Sequence, residues 1–207
     1  MIIPLDDNGF LVNEGRVGNI PPRLKTIIED IVIFSKKELG DNLLSAYIRG
    51  SVSVGRFINN VSDIDFVVIT KTEPSLENFS SFWEYSQTLD KEYGWVSGFD
   101  LFLCSENILN TSPDLNKLKV YLKTQSALLF GEDVVLKFKQ FKPDKDLSRE
   151  LLVHIDDEFN FLKNIFSSEI KHFFYNHQIR TRLILYETRL GMTFLLVIDM
   201  LRLGVYK

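Results

Sequence analysis

An acidic pair at the start of an apolar run most constrains the fold of this chain. Asp63 and Asp65 alternate with apolar residues, and the apolar run continues to Ile69. Successive side chains of a strand point to opposite faces, so the pattern predicts a strand at 63–70 with both carboxylates on one face. Mg²⁺ is a natural partner for such oxygen ligands. For an isolated Asp-x-Asp pair, however, a turn residue followed by a surface charge is the more frequent arrangement.

A second apolar run, at 43–48, ends just before Gly50 and Ser51. The run predicts a strand, and a brief helix is expected after it, to about Phe57. Backbone N–H groups at a helix start, helped by the helix dipole, form a site for phosphate, and the Ser51 hydroxyl adds a donor. Arg49 could also reach a phosphate, although an arginine at a strand end pairs as often with a nearby acid.

A third acid, Asp100, lies among aromatic and aliphatic residues in a predicted strand at 95–104. Charged residues are rarely placed in such a strand unless they are paired or bound to a metal. If this strand lies beside the one that carries Asp63 and Asp65, the three carboxylates meet at one edge of the sheet. We therefore predict a two-metal site, in which one ion activates a hydroxyl and the other stabilises a leaving pyrophosphate.

Five features stand in order along 43–104: a strand, Gly50-Ser51, a helix, Asp63-Ile64-Asp65 and a later Asp100. In this order they resemble the signature of the DNA polymerase β-like nucleotidyltransferase superfamily. The resemblance implies that Gly50 and Ser51 hold the phosphates of a nucleotide and that Asp63 and Asp65 bind the metals. It also implies that Asp100 completes the metal site or acts as the general base.

Within the superfamily, the chain most resembles the aminoglycoside nucleotidyltransferases, which implies a mixed α/β fold. We expect a nucleotidyltransferase-type mixed sheet with helices on one side, followed by a helical C-terminal domain. The polar segment 141–146 contains a proline and predicts the boundary between a catalytic domain at 1–142 and a helical domain at 143–207. A helical pattern at 115–129 belongs to the first domain. We expect the helical domain to be incomplete, because its last predicted helix runs to the end of the chain.

The reaction implied by the resemblance is transfer of a nucleoside monophosphate from an NTP, with two Mg²⁺ ions. ATP is the expected donor, and the expected acceptor is a hydroxyl of a small molecule such as an aminoglycoside-like antibiotic. Modification of such an antibiotic would confer resistance to it. Two alternatives stay open. One is an antitoxin-type adenylyltransferase that modifies a partner protein, and the other is a catalytically silent nucleotide-binding or interaction module.

Composition bears on the partners and the location of the chain. The net charge is −4 and there is no long basic run, which argues against a nucleic acid partner. No stretch reaches the ~18 apolar residues of a membrane span, and the N-terminus lacks the pattern of a secretion signal. We therefore expect a cytoplasmic protein with no membrane contact, and a homodimer could form through the helical half.

Overall fold

The computed structural model describes residues 3–145 and 147, and these residues contain a four-stranded mixed sheet. The strands are β1 (Leu43–Arg49), β2 (Ile64–Thr70), β3 (Phe99–Ser105) and β4 (Ser126–Gly131). Their order across the sheet is β3-β2-β1-β4. Strands β2 and β3 are parallel, whereas β1 is antiparallel to both of its neighbours. The predicted mixed sheet is therefore confirmed.

Five α-helices accompany the sheet in the described part of the chain. They are α1 (Pro22–Leu39), α2 (Gly50–Ser53), α3 (Leu76–Glu92), α4 (Glu106–Thr111) and α5 (Asn116–Gln125). A proline suits the first turn of α1, because its missing N–H would have no partner there. At the start of α3, Ser75 and Asn78 exchange side-chain and backbone hydrogen bonds in a capping box.

The helices cover both faces of the sheet. Alternate residues of β1, such as Ala46 and Ile48, join the larger apolar core with residues of α1 and α3. Tyr47 points to the other face and packs with Leu109 of α4 and Leu122 of α5. The expectation of helices on one side was therefore wrong. The strands are apolar on both faces, as expected of strands covered on both sides.

The predicted helix at 115–129 was wrong in its last four residues, 126–129, which belong to β4. No glycine or proline stops the apolar pattern before Ser126, so the sequence offers no sign of the change. The cause is tertiary: β1 has a second edge, and residues 126–131 pair with it in antiparallel register. Backbone groups on that edge would otherwise be buried without hydrogen bonds.

Two other boundaries differ from the prediction. The helix after Gly50 is a single turn that ends at Ser53, because Gly55 adopts a φ of +74° shortly after it. The third strand begins at Phe99, and the residues before it form a turn. Most of the predicted domain at 143–207 lies outside the described residues, so its helices stay a prediction. None of the described helices has the length and apolar character needed to cross a membrane.

Cys104 is expected to be unreactive in the folded protein. It is buried in β3, and burial, with a smaller contribution from the Glu73 carboxylate, raises the pKa of its thiol to about 12. At pH 8 the thiolate should be about a thousandfold scarcer than in the unfolded chain. Because the folded pKa is the higher one, this thiol should reduce stability as pH rises above about 9. Thiol titration with and without urea tests this, and rapid labelling of the folded protein would contradict it.

Candidate active site

Three charged residues form a row across the sheet at the end of β1. In the antiparallel pairing of β1 and β2, Arg49 lies opposite Asp65. In the parallel pairing of β2 and β3, Asp65 lies opposite Asp100. The three residues share the face on which Tyr47 and α5 pack, because side chains alternate along each strand. The row therefore results from strand register.

The Arg49 guanidinium contacts both carboxylates of this row. Its Nη2 atom lies 2.7 Å from Asp65 Oδ1 and 3.8 Å from Asp100 Oδ2. Tyr121 of α5 covers the guanidinium, with its ring centroid 5.6 Å from Arg49 Cζ. The side chains of Arg49 and Asp65 are 15% and 10% exposed, whereas that of Asp100 is 39% exposed. One acid of the row is thus buried with its counter-ion, and the other faces solvent.

Backbone hydrogen bonds fix the loops that precede β2 and β3. Ile64 donates its N–H to the Gly98 carbonyl at 2.9 Å, and Ser97 donates to the Ser62 carbonyl at 3.0 Å. Asp63 lies between these two contacts, immediately before β2, and its side chain is partly exposed. These bonds hold the chain on either side of Asp63 next to β3.

Gly50 lets the backbone pass close to Asp65. Its φ is +69°, and a Cβ atom at this position would lie 2.7 Å from Asp65 Oδ2. A side chain there would be strained and would also collide with the carboxylate. The turn is anchored by the Ser53 hydroxyl, which lies 3.0 Å from the Gly50 carbonyl oxygen and 2.6 Å from that of Gln125.

Ser51, the residue after Gly50, has a buried hydroxyl. Within the part of the chain that the structure describes, its Oγ has no hydrogen-bond partner, and neither has Arg49 Nε. Buried polar atoms are nearly always paired, so an unpaired donor in a turn indicates a place for a ligand or an ordered water. The two residues flank Gly50, where the sequence predicted a phosphate site.

The structure brings Arg49, Asp65 and Asp100 together, with Gly50 against Asp65. The alternative pairing of Arg49 with a nearby acid is confirmed. Carboxylate oxygens of Asp65 and Asp100 both lie close to Nη2 of the Arg49 guanidinium. Such oxygen ligands also suit a hard divalent cation. In the described residues, no group of three or more His, Cys, Asp or Glu side chains is arranged to hold a metal ion. The two-metal site and the role of Asp63 in it therefore stay predictions.

Sequence reasoning missed Tyr121. In the sequence it is one more aromatic residue on a helix, and only the packing of α5 against the sheet places it over Arg49. Two lysines of the same helix point elsewhere: Lys119 Nζ donates to the Asn110 carbonyl at 3.3 Å, and Lys123 Nζ donates to that of Val135 at 3.0 Å. The spacing of residues along the helix did not show that Tyr121, and not Lys119 or Lys123, lies over Arg49.

Comparison with solved structures identifies the fold. No model of a protein family and no curated protein sequence matches the chain. A spectinomycin adenyltransferase from Enterococcus, solved with ATP and spectinomycin, is similar with a TM-score of 0.51 and 16% identity, over 64% of this chain and 66% of that one. The resemblance to nucleotidyltransferases is therefore confirmed at the level of the fold.

Two toxin–antitoxin structures are also similar, with lower TM-scores. A toxin–antitoxin structure with AMP-PNP matches with a TM-score of 0.35 and 21% identity, over 69% of this chain and 94% of that one. The complex of a tri-AMPylated Shewanella oneidensis HEPN toxin with its MNT antitoxin gives a TM-score of 0.33 and 18% identity, over 70% and 95%. At these scores the two matches add nothing to the assignment of the fold.

Proposed function

We propose that this chain is a nucleotidyltransferase that moves a nucleoside monophosphate from an NTP, ATP in the first instance, to a hydroxyl group. One observation carries the proposal. Asp65 and Asp100 lie in register on adjacent parallel strands, and the Gly50 turn lies against Asp65. The next residue, Ser51, has a buried hydroxyl without a hydrogen-bond partner among the described residues. An acidic pair next to a turn with a free donor is the arrangement that phosphoryl transfer requires, because charge on the phosphates must be both held and neutralised.

The residues of the site divide the work of transfer. Ser51 and the Gly50 backbone bind the triphosphate, and Arg49 offers its guanidinium to a phosphate oxygen. The oxygen of the acceptor hydroxyl forms a bond to the α-phosphorus, and the bond from that phosphorus to the β-bridging oxygen breaks. Pyrophosphate leaves with the electron pair of that bond. Asp100, the more exposed of the two acids in the row, accepts the hydroxyl proton.

Asp65 and Asp100, with Asp63 alongside, would hold the Mg²⁺ ions of this reaction. When bound, such ions neutralise the triphosphate and the leaving pyrophosphate. The chain itself supplies the positioning, since hydrogen bonds to Gly98 and Ser62 fix the start of β2 beside β3. Catalysis of this type rests on positioning and electrostatic stabilisation.

The proposed acceptor is a small molecule with hydroxyl groups, such as an aminoglycoside-like antibiotic. The acidic balance of the chain, with a net charge of −4, suits a cationic acceptor. The helical segment predicted at 143–207 would supply the contact of a homodimer. Transfer to an antibiotic would give resistance, a phenotype that can be scored in cells.

A protein hydroxyl is the second candidate acceptor, and one feature favours it. Leu76, Phe79 and Trp83 of α3 are 86%, 44% and 67% exposed, at a spacing that places them along one side of the helix. Large apolar side chains grouped on a surface are typical of a contact with another protein. In this case the chain would modify a bound partner, as an antitoxin-type adenylyltransferase does.

Calorimetric titration of ATP with Mg²⁺ tests the proposed donor site. We expect the wild-type chain to bind ATP only when the metal is present and the Asp63→Ala/Asp65→Ala variant not to bind it. No binding of any NTP by the folded wild type would contradict the proposal and would favour a catalytically silent interaction module.

A radiolabel on the α-phosphate of ATP then identifies the acceptor. Transfer of the label to a hydroxyl-rich small molecule, seen by chromatography, would support the first candidate. Label in acid-precipitated protein, with none in the small-molecule panel, would support the second. Replacing exposed Trp83 by Glu should reduce only protein labelling, because Trp83 lies on α3, outside the acidic row.

A further inference from the structure

Arg49 already occupies the position of a cation between two carboxylates. Its Nη2 atom lies 2.7 Å from an Asp65 oxygen and 3.8 Å from an Asp100 oxygen, and only 15% of its side chain is exposed. A buried carboxylate such as Asp65 needs a partner that neutralises it, because desolvation penalises the charge. The register of β1 against β2 provides that partner, because Arg49, the last residue of β1, lies opposite Asp65.

The guanidinium is only partly satisfied in this position. Nε is buried without a hydrogen-bond partner in the described part of the chain, while Nη2 contacts the acids. The hydroxyl of Ser51, two residues on, also lacks a partner among the described residues. Arginine binds phosphate oxygens through two parallel N–H donors. A phosphate at this turn would therefore give Arg49 Nε a partner that the described residues do not supply.

In this arrangement a divalent cation cannot bind Asp65 while Arg49 keeps its ion pair with the same carboxylate. A metal ion held by the oxygens of Asp65 and Asp100 would meet the guanidinium charge at contact distance, since Nη2 is already 2.7 Å and 3.8 Å from those oxygens. Like charges at such separations repel strongly, above all where solvent is partly excluded. The repulsion disappears only when Arg49 turns to another anion.

We infer that Arg49 is a resident counter-ion that competes with a divalent metal for Asp65 and releases it when a triphosphate binds. The inference rests on the proposed function and adds an order of events to it. Without nucleotide, Arg49 neutralises Asp65 and keeps the metal affinity low. With nucleotide, Arg49 pairs with a phosphate, and metal binding at Asp65 and Asp100 becomes favourable. Metal binding thus depends on the presence of the nucleotide.

Titration with Mn²⁺ by electron paramagnetic resonance tests this inference on the full chain. We expect Arg49→Gln to bind Mn²⁺ about tenfold more tightly than the wild type when no nucleotide is present, because a positive charge has been removed from the site. A non-hydrolysable ATP analogue should strengthen Mn²⁺ binding far more in the wild type than in Arg49→Gln. Arg56→Gln is the matched control, since Arg56 pairs with Glu14 outside the acidic row, and it should behave as the wild type does.

Several outcomes would overturn the inference. One is an Arg49→Gln chain that folds but binds Mn²⁺ no more tightly than the wild type. Another is a nucleotide analogue that strengthens Mn²⁺ binding equally in both chains. Should Arg49→Gln not fold, Arg49→Lys keeps the charge and is expected to retain the weak Mn²⁺ binding of the wild type. Tighter binding by the lysine variant, or a wild type whose Mn²⁺ affinity ignores the nucleotide, would also contradict the inference.

The same titration separates this inference from the proposed function. If neither the wild type nor Arg49→Gln binds Mn²⁺ or the nucleotide analogue, the proposed function fails, and the inference fails with it. If the wild type binds both ligands but Arg49→Gln gains no Mn²⁺ affinity, only the competition by Arg49 is disproved.

Discussion

Replacing Asp65 by Asn is expected to reduce nucleotidyl transfer by about a thousandfold, the scale on which removal of one electrostatic group at a reacting centre acts. The amide has the same size as the carboxylate and can still accept a hydrogen bond from Arg49 Nη2. It lacks the negative charge that both Arg49 and a metal ion require. Because that hydrogen bond is kept and Asp100 still lies 3.8 Å from the guanidinium, stability should fall by no more than about 2 kcal/mol. Pyrophosphate release at saturating ATP measures the activity, and thermal unfolding measures the stability.

The matched control for this variant is Asp41→Asn. Asp41 lies in the exposed turn between α1 and β1, so the same chemical change there should leave transfer unchanged. Near-wild-type turnover by Asp65→Asn would show that the proposed site is wrong. A loss of activity accompanied by unfolding would instead assign Asp65 a structural role as the partner of Arg49.

Replacing Gly50 by Ala is expected to reduce transfer by about a hundredfold, because small misplacements of reacting groups have effects of this size. The methyl group would lie 2.7 Å from Asp65 Oδ2, so the carboxylate must move. In addition, the φ of +69° is unfavourable for alanine and should cost about 1–2 kcal/mol of stability. Calorimetric binding of ATP and the rate of pyrophosphate release would both detect the displacement.

Gly9→Ala separates the strain from the collision. Gly9 has a φ of +78°, but no atom lies within 4 Å of the position of an added Cβ. This control should show a similar cost in stability and no loss of transfer. Equal activities in the two variants would mean that the close approach of Gly50 to Asp65 has no catalytic consequence.

The sequence was sufficient to predict three strands and the residues at their ends. Asp65 and Asp100 each interrupt an apolar run, and a charge in such a run must have a partner, so a common edge could be expected from the sequence alone. The fourth strand could not be predicted, because Ser126 begins it without a stop signal and only pairing with β1 makes residues 126–131 extended. The local sequence pattern of residues 126–131 contains no information about the edge of β1 with which they pair.

The partner of the acidic row could not be predicted either. Arg49 is adjacent to Gly50 in the sequence, which suggested phosphate, yet its distance to Asp65 depends on the register of β1 against β2. Tyr121 reaches Arg49 only because α5 crosses the face of the sheet above it. Both contacts are long-range, and neither has a periodic signal.

The charged row also constrains how the sheet assembles during folding. If β2 slipped by one residue against β1, Asp65 would turn into the apolar layer that contains Ile64 and Phe66, and Arg49 would lose its counter-ion. Burying that uncompensated charge would cost several kcal/mol, so slipped pairings are strongly disfavoured. The three side chains of the proposed active site therefore also disfavour misaligned strand pairing. A variant without them should fold with a less uniquely defined strand register.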